Sequence, residues 1–177
     1  MELTNFRFET DKDGIALITW DMADKPINVI DFSVIAELER IASRLKEDTG
    51  LKGAVFASAK EAFSGGADLR MLEELLGIFA AERARDPDGA MQHLFDQSRR
   101  FSLALRALET CGKPVVAALG GSAMGGAFEL ALACHARFAA DNPRTLTGLP
   151  EVTIGLFPGA GGTQRLPPMI PTADALQ

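Results

Sequence analysis

An apolar run that passes through a glycine-rich turn into an apolar helix constrains this chain more than any other feature. Residues 115–119 are apolar and include β-branched side chains, which is typical of a buried strand. Four glycines lie in the turn at 120–126, and residues 127–134 have the composition of a buried helix that carries one charge. The pattern predicts a strand–turn–helix unit whose first helical N–H groups face the turn.

Two isolated carboxylates belong to this region. Glu129 lies one turn into the apolar helix, and Glu151 is flanked by apolar residues within 149–152. Desolvating such acids is costly, which favours a functional role. Structural alternatives stay open, because the helix dipole stabilises an acid at the position of Glu129 by up to about 1 kcal/mol. Glu151 is equally compatible with an ordinary surface loop.

A second glycine turn has the same relation to a strand and a helix. Residues 53–57 predict a strand, Gly65, Gly66 and Ala67 follow it, and a helix is predicted over 69–81. Two main-chain N–H groups that converge from such turns form an oxyanion hole, and each donor contributes roughly 3–4 kcal/mol of transition-state stabilisation. Beside two carboxylates, such a pair predicts proton transfer next to an activated carbonyl group.

The first third of the chain predicts a hairpin followed by a crossover. Alternating phenylalanines before a turn at 11–14 and an apolar run at 15–20 predict a β-hairpin. Asp31 or Ser33 is placed to cap the helix that follows. That helix is predicted from an apolar stripe formed by Val34, Ile35, Leu38, Ile41, Ala42 and Leu45. The order strand, helix, strand predicts parallel strands joined by a right-handed crossover.

The recurring strand-to-helix unit predicts an α/β fold for the whole chain. Residues 82–89 are charged and end in turn residues, which predicts an exposed loop, and a long helix is predicted over 91–108. Residues 137–140 predict a short strand. The glycine-rich segment at 155–165 is expected to lead into a further helix.

Composition and missing motifs exclude several classes of function. The formal net charge of −6 argues against a nucleic-acid binder. No apolar stretch approaches the roughly 18 residues that span a bilayer, and the start of the chain shows no secretion signal. Nucleotide-binding and hydrolase motifs are missing. Cys111 and Cys134 lack metal-ligand spacing, so buried thiols and no metal site are expected. We therefore expect a soluble, cytoplasmic protein.

Three segments together resemble the crotonase (enoyl-CoA hydratase/isomerase) superfamily. They are residues 62–69, 113–131 and 149–166. The opening, especially 20–30, is similar to the N-terminal hydratase region of multifunctional fatty-acid oxidation α-subunits. The resemblance covers nearly the whole chain. It implies an α/β ClpP/crotonase fold, which is a superhelix of repeated ββα units, and one enoyl-CoA hydratase/isomerase domain over 1–177.

The resemblance also implies roles for individual residues. The N–H groups of Ala67 and Gly126 correspond to the pair that holds the thioester oxygen as an enolate. Glu129 and Glu151 correspond to the two acids of a hydratase, of which one activates water and the other handles the proton at the α carbon. The residues implied in substrate binding are Pro26, Asn28, Ser64, Gly65, Gly66, Asp68, Leu69, Met124, Gly125, Pro150, Pro158 and Gly159.

Because both acids are present, the resemblance implies hydration of trans-2-enoyl-CoA to 3-hydroxyacyl-CoA in fatty-acid β-oxidation. The alternatives are isomerisation of 3-enoyl-CoA to 2-enoyl-CoA and a non-catalytic acyl-CoA-binding or assembly fragment. Acyl-CoA is then a substrate, and no cofactor is expected, with NAD confined to a possible downstream dehydrogenase domain. Expected partners of the full-length protein are further subunits of an oligomer or a thiolase subunit.

Two departures from the family pattern affect these expectations. Gly120 stands where the family often has Asn, which loosens the turn without touching a catalytic group. Family hydratase domains also continue well past a point like Gln177. The chain is therefore expected to be C-terminally truncated, without the helices that close the acyl pocket, and to be weak or inactive alone.

Overall fold

The computed structural model describes residues 1–175. The strands are β1 (Phe6–Thr10), β2 (Ile15–Trp20), β3 (Gly53–Ser58), β4 (Val115–Leu119), β5 (Ala123–Met124), β6 (Ala136–Ala139) and β7 (Thr147–Gly148). The helices are α1 (Phe32–Glu47), α2 (Leu69–Arg83), α3 (Pro87–Glu109), α4 (Gly126–Ala133), α5 (Gly162–Arg165) and α6 (Thr172–Ala175), with a 3-10 helix at Pro150–Ile154. Residues 176 and 177 lie outside the described residues.

The main sheet has the strand order β1-β2-β3-β4-β6. β1 and β2 form the predicted antiparallel hairpin around the turn at 11–14, and β2, β3, β4 and β6 run parallel to one another. The parallel pairing predicted across the first crossover is confirmed, with Trp20 beside Ser58 in register. The carboxyl ends of β3 and β4, where both glycine turns begin, therefore lie on one edge of the sheet.

A second ladder of short segments runs beside that edge. Ile30 pairs with Ala67, Ser64 pairs with Ala123, and β5 pairs with β7, all in parallel orientation. The parallel strands β2, β3 and β4 are therefore each followed by a short paired segment and then by an α-helix, and β6 is followed by β7 and the 3-10 helix. This is the repeated ββα arrangement, and the predicted α/β fold class is confirmed.

Helix α1 shows how the local sequence specifies an element of this fold. All six residues of the predicted stripe are buried, and the helix closes one face of the sheet. Asp31 is the N-cap, because its side chain accepts the N–H of Val34 at 2.9 Å. Ser33, the other candidate cap, instead donates its hydroxyl hydrogen to Asp31. Under the helix, Trp20 stacks on Phe6 at 5.4 Å and meets the edge of Phe63 at 6.0 Å.

The prediction of a loop over residues 82–89 is wrong, because most of this exposed segment is helical. Helix α2 continues to Arg83, and α3 begins at Pro87, so only residues 84–86 connect them. The Asp86 side chain accepts the N–H of Gly89 at 3.0 Å, and proline fits the first helical turn because its missing N–H is not needed there. Turn residues thus act as a helix start. No helix in the described part of the chain is both long and apolar enough to cross a membrane.

Candidate active site

Two unpaired main-chain N–H groups lie side by side where the two glycine turns meet. They belong to Ala67, just before α2, and to Gly126, the first residue of α4. A β-carbon placed on Gly126 would lie 3.9 Å from the amide nitrogen of Ala67, so the two peptide groups are neighbours. Among residues 1–175, neither N–H has a hydrogen-bond acceptor. Polar main-chain groups are rarely left unpaired, so these two are available to a ligand.

The backbone around Ala67 is fixed from both sides. The N–H of Ile30 donates to the carbonyl of Gly66 at 2.8 Å, and the N–H of Asp68 donates to the carbonyl of Ile30 at 2.8 Å. Gly66 has a φ of +91°, and a β-carbon there would lie 2.7 Å from the carbonyl oxygen of Met124. Only glycine satisfies both conditions, so the turn holds the Ala67 amide in one direction.

Glu129 is the buried acid of the site, and 2% of the residue is exposed. Its Oε1 accepts the N–H groups of Ala160 and Gly162, both at 2.8 Å. Burial is the largest influence on this carboxyl group and raises its pKa. The two backbone hydrogen bonds and the charge of Arg165 oppose that change, and the charge of Glu151 adds to it. The group is therefore easier to protonate than an exposed glutamate.

Glu151 approaches the same place from the 3-10 helix. A β-carbon placed on Gly125 would lie 3.0 Å from Oε1 of Glu151, so this carboxylate packs against the turn that precedes Gly126. Its Oε2 is buried, with no hydrogen-bond partner in the described structure. Gly125 has a φ of +55° and ψ of −129°, which suits glycine and leaves room for the acid. The structure thus brings Ala67, Gly126, Glu129 and Glu151 together.

The structure corrects the predicted substrate-binding role of the Asn28 and Ser64 side chains, because both lie in the interior. Asn28 accepts the N–H of Met22 at 3.0 Å and donates to the carbonyl of Trp20 at 3.0 Å. Ser64 donates its hydroxyl hydrogen to the carbonyl of Asn28 at 2.8 Å. Both residues are fully buried. They tie the segment at 26–30 to the glycine turn, and their side chains have no surface to offer a ligand.

Asp68 and Leu69 begin helix α2. The Asp68 side chain is the N-cap, and it forms ion pairs with Arg70 at 3.1 Å and Lys25 at 2.9 Å. Hydrogen bonds from Arg70 and Lys25 lower the pKa of Asp68 well below its usual range. Lys25 also lies 3.6 Å from Asp31, the cap of α1. Asp68 therefore joins the starts of two helices, while the Leu69 side chain is half exposed.

The other residues predicted to bind substrate lie around this centre. Gly65 and Gly66 form the first turn, Met124 and Gly125 form the second, and Pro150 starts the 3-10 helix. Pro158 and Gly159 precede the two amides that bind Glu129. Pro26 lines a cavity of about 300 Å³, together with Ile27, Glu61, Gly121 and Arg144.

Sequence reasoning missed three groups that contact Glu129 directly or at one remove. The amides of Ala160 and Gly162 bind its carboxylate, and Arg165 donates to the carbonyl of Ala160 at 2.8 Å. Ala160 and Gly162 lie 31 and 33 residues from Glu129. The glycine-rich run at 159–162 was a signal of close backbone approach, but nothing local in the sequence identified the group that it approaches.

Comparison with known proteins relates the chain to one protein family. Residues 10–177 match the model of the enoyl-CoA hydratase/isomerase family. Two curated relatives, both named fatty acid oxidation complex subunit alpha, come from Idiomarina loihiensis and Shewanella amazonensis and are 39% and 41% identical. The matches cover 97% and 99% of this chain but 22% and 23% of those proteins. The chain therefore spans less than a quarter of the length of the curated relatives it matches.

A solved structure agrees with these matches. The enoyl-CoA hydratase from Bacillus anthracis superposes with a TM-score of 0.77 and 29% identity, over 97% of this chain and 60% of that one. The shared architecture is the ββα repeat described above. Since the family model covers nearly all of the sequence, the chain belongs to the enoyl-CoA hydratase/isomerase family.

Proposed function

We propose that this chain hydrates trans-2-enoyl-CoA thioesters to 3-hydroxyacyl-CoA thioesters in fatty-acid β-oxidation. One observation carries the proposal. The amides of Ala67 and Gly126, which have no acceptor among residues 1–175, lie beside two carboxylates, Glu129 and Glu151. The names of the relatives, fatty acid oxidation complex subunit alpha and enoyl-CoA hydratase, support the substrate class.

The two amides supply the first part of the proposed mechanism. The thioester oxygen accepts hydrogen bonds from Ala67 and Gly126, which draws electron density from the conjugated double bond and makes the β carbon electrophilic. As water adds there, negative charge moves onto the same oxygen. Donors fixed in place by the glycine turns stabilise that enolate without reorganising, and each contributes roughly 3–4 kcal/mol in favourable cases.

The two carboxyl groups supply the proton transfers. One carboxylate removes a proton from water as the oxygen bonds to the β carbon, and the other carboxyl group delivers a proton to the α carbon. The sum is one molecule of water added across the double bond. Burial and the charge of Glu151 both raise the pKa of Glu129.

Separate replacement of the two acids tests the proposal. Glu129→Gln and Glu151→Gln should each slow hydration of crotonyl-CoA at least about 100-fold, which is the usual contribution of a positioned acid or base. The assay follows the loss of ultraviolet absorbance of the conjugated thioester. Glu9→Gln, which changes an exposed acid on β1, is the matched control. Full activity of either active-site variant would contradict the proposed roles.

A second readout does not need turnover. A conjugated aromatic enoyl-CoA absorbs at longer wavelength when its carbonyl oxygen accepts strong hydrogen bonds, so binding at the two amides should shift the band to the red. Gly66→Ala, which disturbs the turn that orients Ala67, should remove most of the shift. An unshifted spectrum of the bound ligand would count against the oxyanion hole.

Isomerisation of 3-enoyl-CoA is the second candidate, because the matched family carries both reactions in its name. Moving a proton between the γ and α carbons of a bound enolate needs one acid, whereas hydration needs two. Loss of 3-enoyl-CoA conversion in only one of the two glutamine variants, without hydration by the wild type, would identify an isomerase. Acyl-CoA binding by the wild type without conversion of either substrate, and unchanged in both variants, would instead identify the non-catalytic fragment.

The names of the relatives also support a place for the chain in a larger assembly. We infer that it contributes the hydratase part of a fatty acid oxidation complex, in which a thiolase subunit consumes the product after oxidation. The longer relatives support this reading, because the chain matches 22% and 23% of their length. Co-purification of the chain with a thiolase subunit tests it.

A further inference from the structure

Glu129 is held by the main chain of a loop rather than by side chains near it. Its Oε1 accepts two N–H groups, from Ala160 and Gly162, at 2.8 Å each. In the described residues, the other oxygen, Oε2, makes no hydrogen bond. The position of the loop at 158–162 therefore decides where the free oxygen of Glu129 points.

Arg165 holds this loop from its other side. Its Nη1 donates to the carbonyl of Ala160 at 2.8 Å, and 13% of its side chain is exposed. Gly161 has a φ of +105°, and a β-carbon there would lie 2.2 Å from Nη1 of Arg165. The glycine thus leaves the space that the guanidinium group fills. Ala160 is fixed at both ends, since its carbonyl binds Arg165 while its N–H binds Glu129.

Glu109, the last residue of α3, fixes the guanidinium group in turn. Nε of Arg165 donates to Oε1 of Glu109 at 3.2 Å, and Nη2 donates to Oε2 at 3.4 Å. This paired geometry restricts the rotation of an arginine more than a single contact does. Burial raises the pKa of Glu109, but hydrogen bonds from Arg165 and Arg106 lower it overall. Glu109 is therefore ionised when it pairs with Arg165.

Three charged side chains surround Glu129. Glu151 faces it from the 3-10 helix, Arg165 faces it from α5, and Glu109 stands behind Arg165 at the end of α3. The positive charge of Arg165 lowers the pKa of Glu129, against the effects of burial and of Glu151. Arg165 therefore acts on Glu129 through both the loop and its charge.

We propose that Arg165, clamped by Glu109, is a positioning residue that orients Glu129 through the main chain of Ala160 and keeps one carboxylate oxygen free for the reacting group. The reactive part of this statement rests on the proposed function. The positioning part does not, because it concerns the loop and the ionisation of one carboxyl group.

The experiment measures the loop and the carboxyl group directly. The pKa of Glu129 is followed by the carbon-13 shift of labelled glutamate side chains, with the signal assigned by its loss in Glu129→Gln. Hydrogen exchange reports the amides of Ala160 and Gly162. Arg165→Met should raise the pKa of Glu129, because it removes a neighbouring opposite charge. The same change should speed exchange of both amides at least about tenfold, because the loop that carries them is no longer held by Arg165.

Arg106→Met is the matched control. Arg106 pairs with the same Glu109 carboxylate at 2.6 Å, but 65% of its side chain is exposed and it makes no hydrogen bond to the loop in the described structure. It should leave the pKa of Glu129 and both exchange rates unchanged. An equal effect of Arg106→Met and Arg165→Met would overturn the proposal, and so would no effect of Arg165→Met.

More conservative variants keep the test decisive if Arg165→Met does not fold. Arg165→Lys retains the positive charge but lacks the planar guanidinium group that pairs with Glu109. The pKa of Glu129 should therefore stay close to its wild-type value, whereas exchange of the two amides should still be faster than in the wild type. Glu109→Gln should speed exchange of the same amides, because it releases the guanidinium group. Unchanged exchange in both variants would overturn the proposal. Normal hydration by Glu129→Gln would instead refute the proposed function while leaving the positioning result intact.

Discussion

Replacing Asn28 with alanine should destabilise the protein by about 3 kcal/mol, because it leaves two buried polar groups without partners. The Asn28 side chain accepts the N–H of Met22 and donates to carbonyls of Trp20 and Phe63 and to the hydroxyl of Ser58. Among these, the carbonyl of Trp20 keeps a second partner, the N–H of Ala59 at 3.0 Å.

The magnitude follows from the partners that remain. In the described structure, the N–H of Met22 and the carbonyl of Phe63 have only Asn28, so both are orphaned in the alanine variant. Each buried orphan costs about 1–3 kcal/mol. For a chain of 177 residues, a loss of this size should lower the midpoint of thermal unfolding by about 9 °C. Urea unfolding measures the free energy directly.

Asn28→Asp separates hydrogen bonding from packing, because the two side chains have the same shape. The aspartate keeps the acceptor for Met22 but turns a second oxygen toward the carbonyls. Burial raises its pKa in the folded state above the unfolded value, so the protonated form folds better. The stability deficit relative to the wild type should therefore grow as the pH rises from about 4 to 7.

Asn142→Asp, in a partly exposed loop, is the control, and its deficit should be small at every pH. A deficit of Asn28→Asp that does not change with pH would refute the reasoning. So would an alanine variant as stable as the wild type. Either result would mean that the hydrogen bonds of the Asn28 side chain do not stabilise the fold.

Three further changes have defined outcomes. Gly66→Ala should cost at least about 2 kcal/mol in urea unfolding, because its φ of +91° and its contact with Met124 both exclude a β-carbon. Asp68→Asn keeps the helix cap but loses the ion pairs. Because these hold the folded pKa of Asp68 low, the wild type should be more stable at neutral pH, and the difference should vanish as the pH falls through that pKa. Lys113→Met removes donors from the carbonyls of Leu45 and Asp48, both at 2.5 Å, and should lower stability by about 1–2 kcal/mol, whereas the exposed Lys46→Met should not.

Elements with a strong local signal were predictable from the sequence. The stripe of α1 and the alternation of the first hairpin both follow the period of the structure that they form. The glycine turns at Gly66 and Gly125 were also readable, because each stands between an apolar strand and a helix. The charged segment at 82–89 was exposed as predicted, but Asp86 and Pro87 suit a helix start as well as a turn.

The contacts within the site were less predictable, because they join distant parts of the chain. Family resemblance marked Asn28 and Ser64 by position, yet the pairing of Ile30 with Ala67 turns both side chains inward. Glu37 shows the converse limit. It is buried on α1 and accepts the N–H groups of Thr4 and Asn5 at 2.8 and 3.0 Å, without any signal in its charged surroundings. A buried acid alone is therefore no mark of a catalytic centre.

The unpaired amides at residues 67 and 126 have a consequence for experiments on this fold. A peptide nitrogen belongs to the chain itself, so an alanine scan that deletes every side chain in turn would leave both donors in place. Proline lacks the N–H, but its ring restricts the backbone as well. An ester linkage at one of the two positions, introduced by semisynthesis or by an α-hydroxy acid, removes the donor with less disturbance of the turn. Replacing one amide by an ester in this way measures directly the contribution of a main-chain hydrogen bond that side-chain substitutions leave intact.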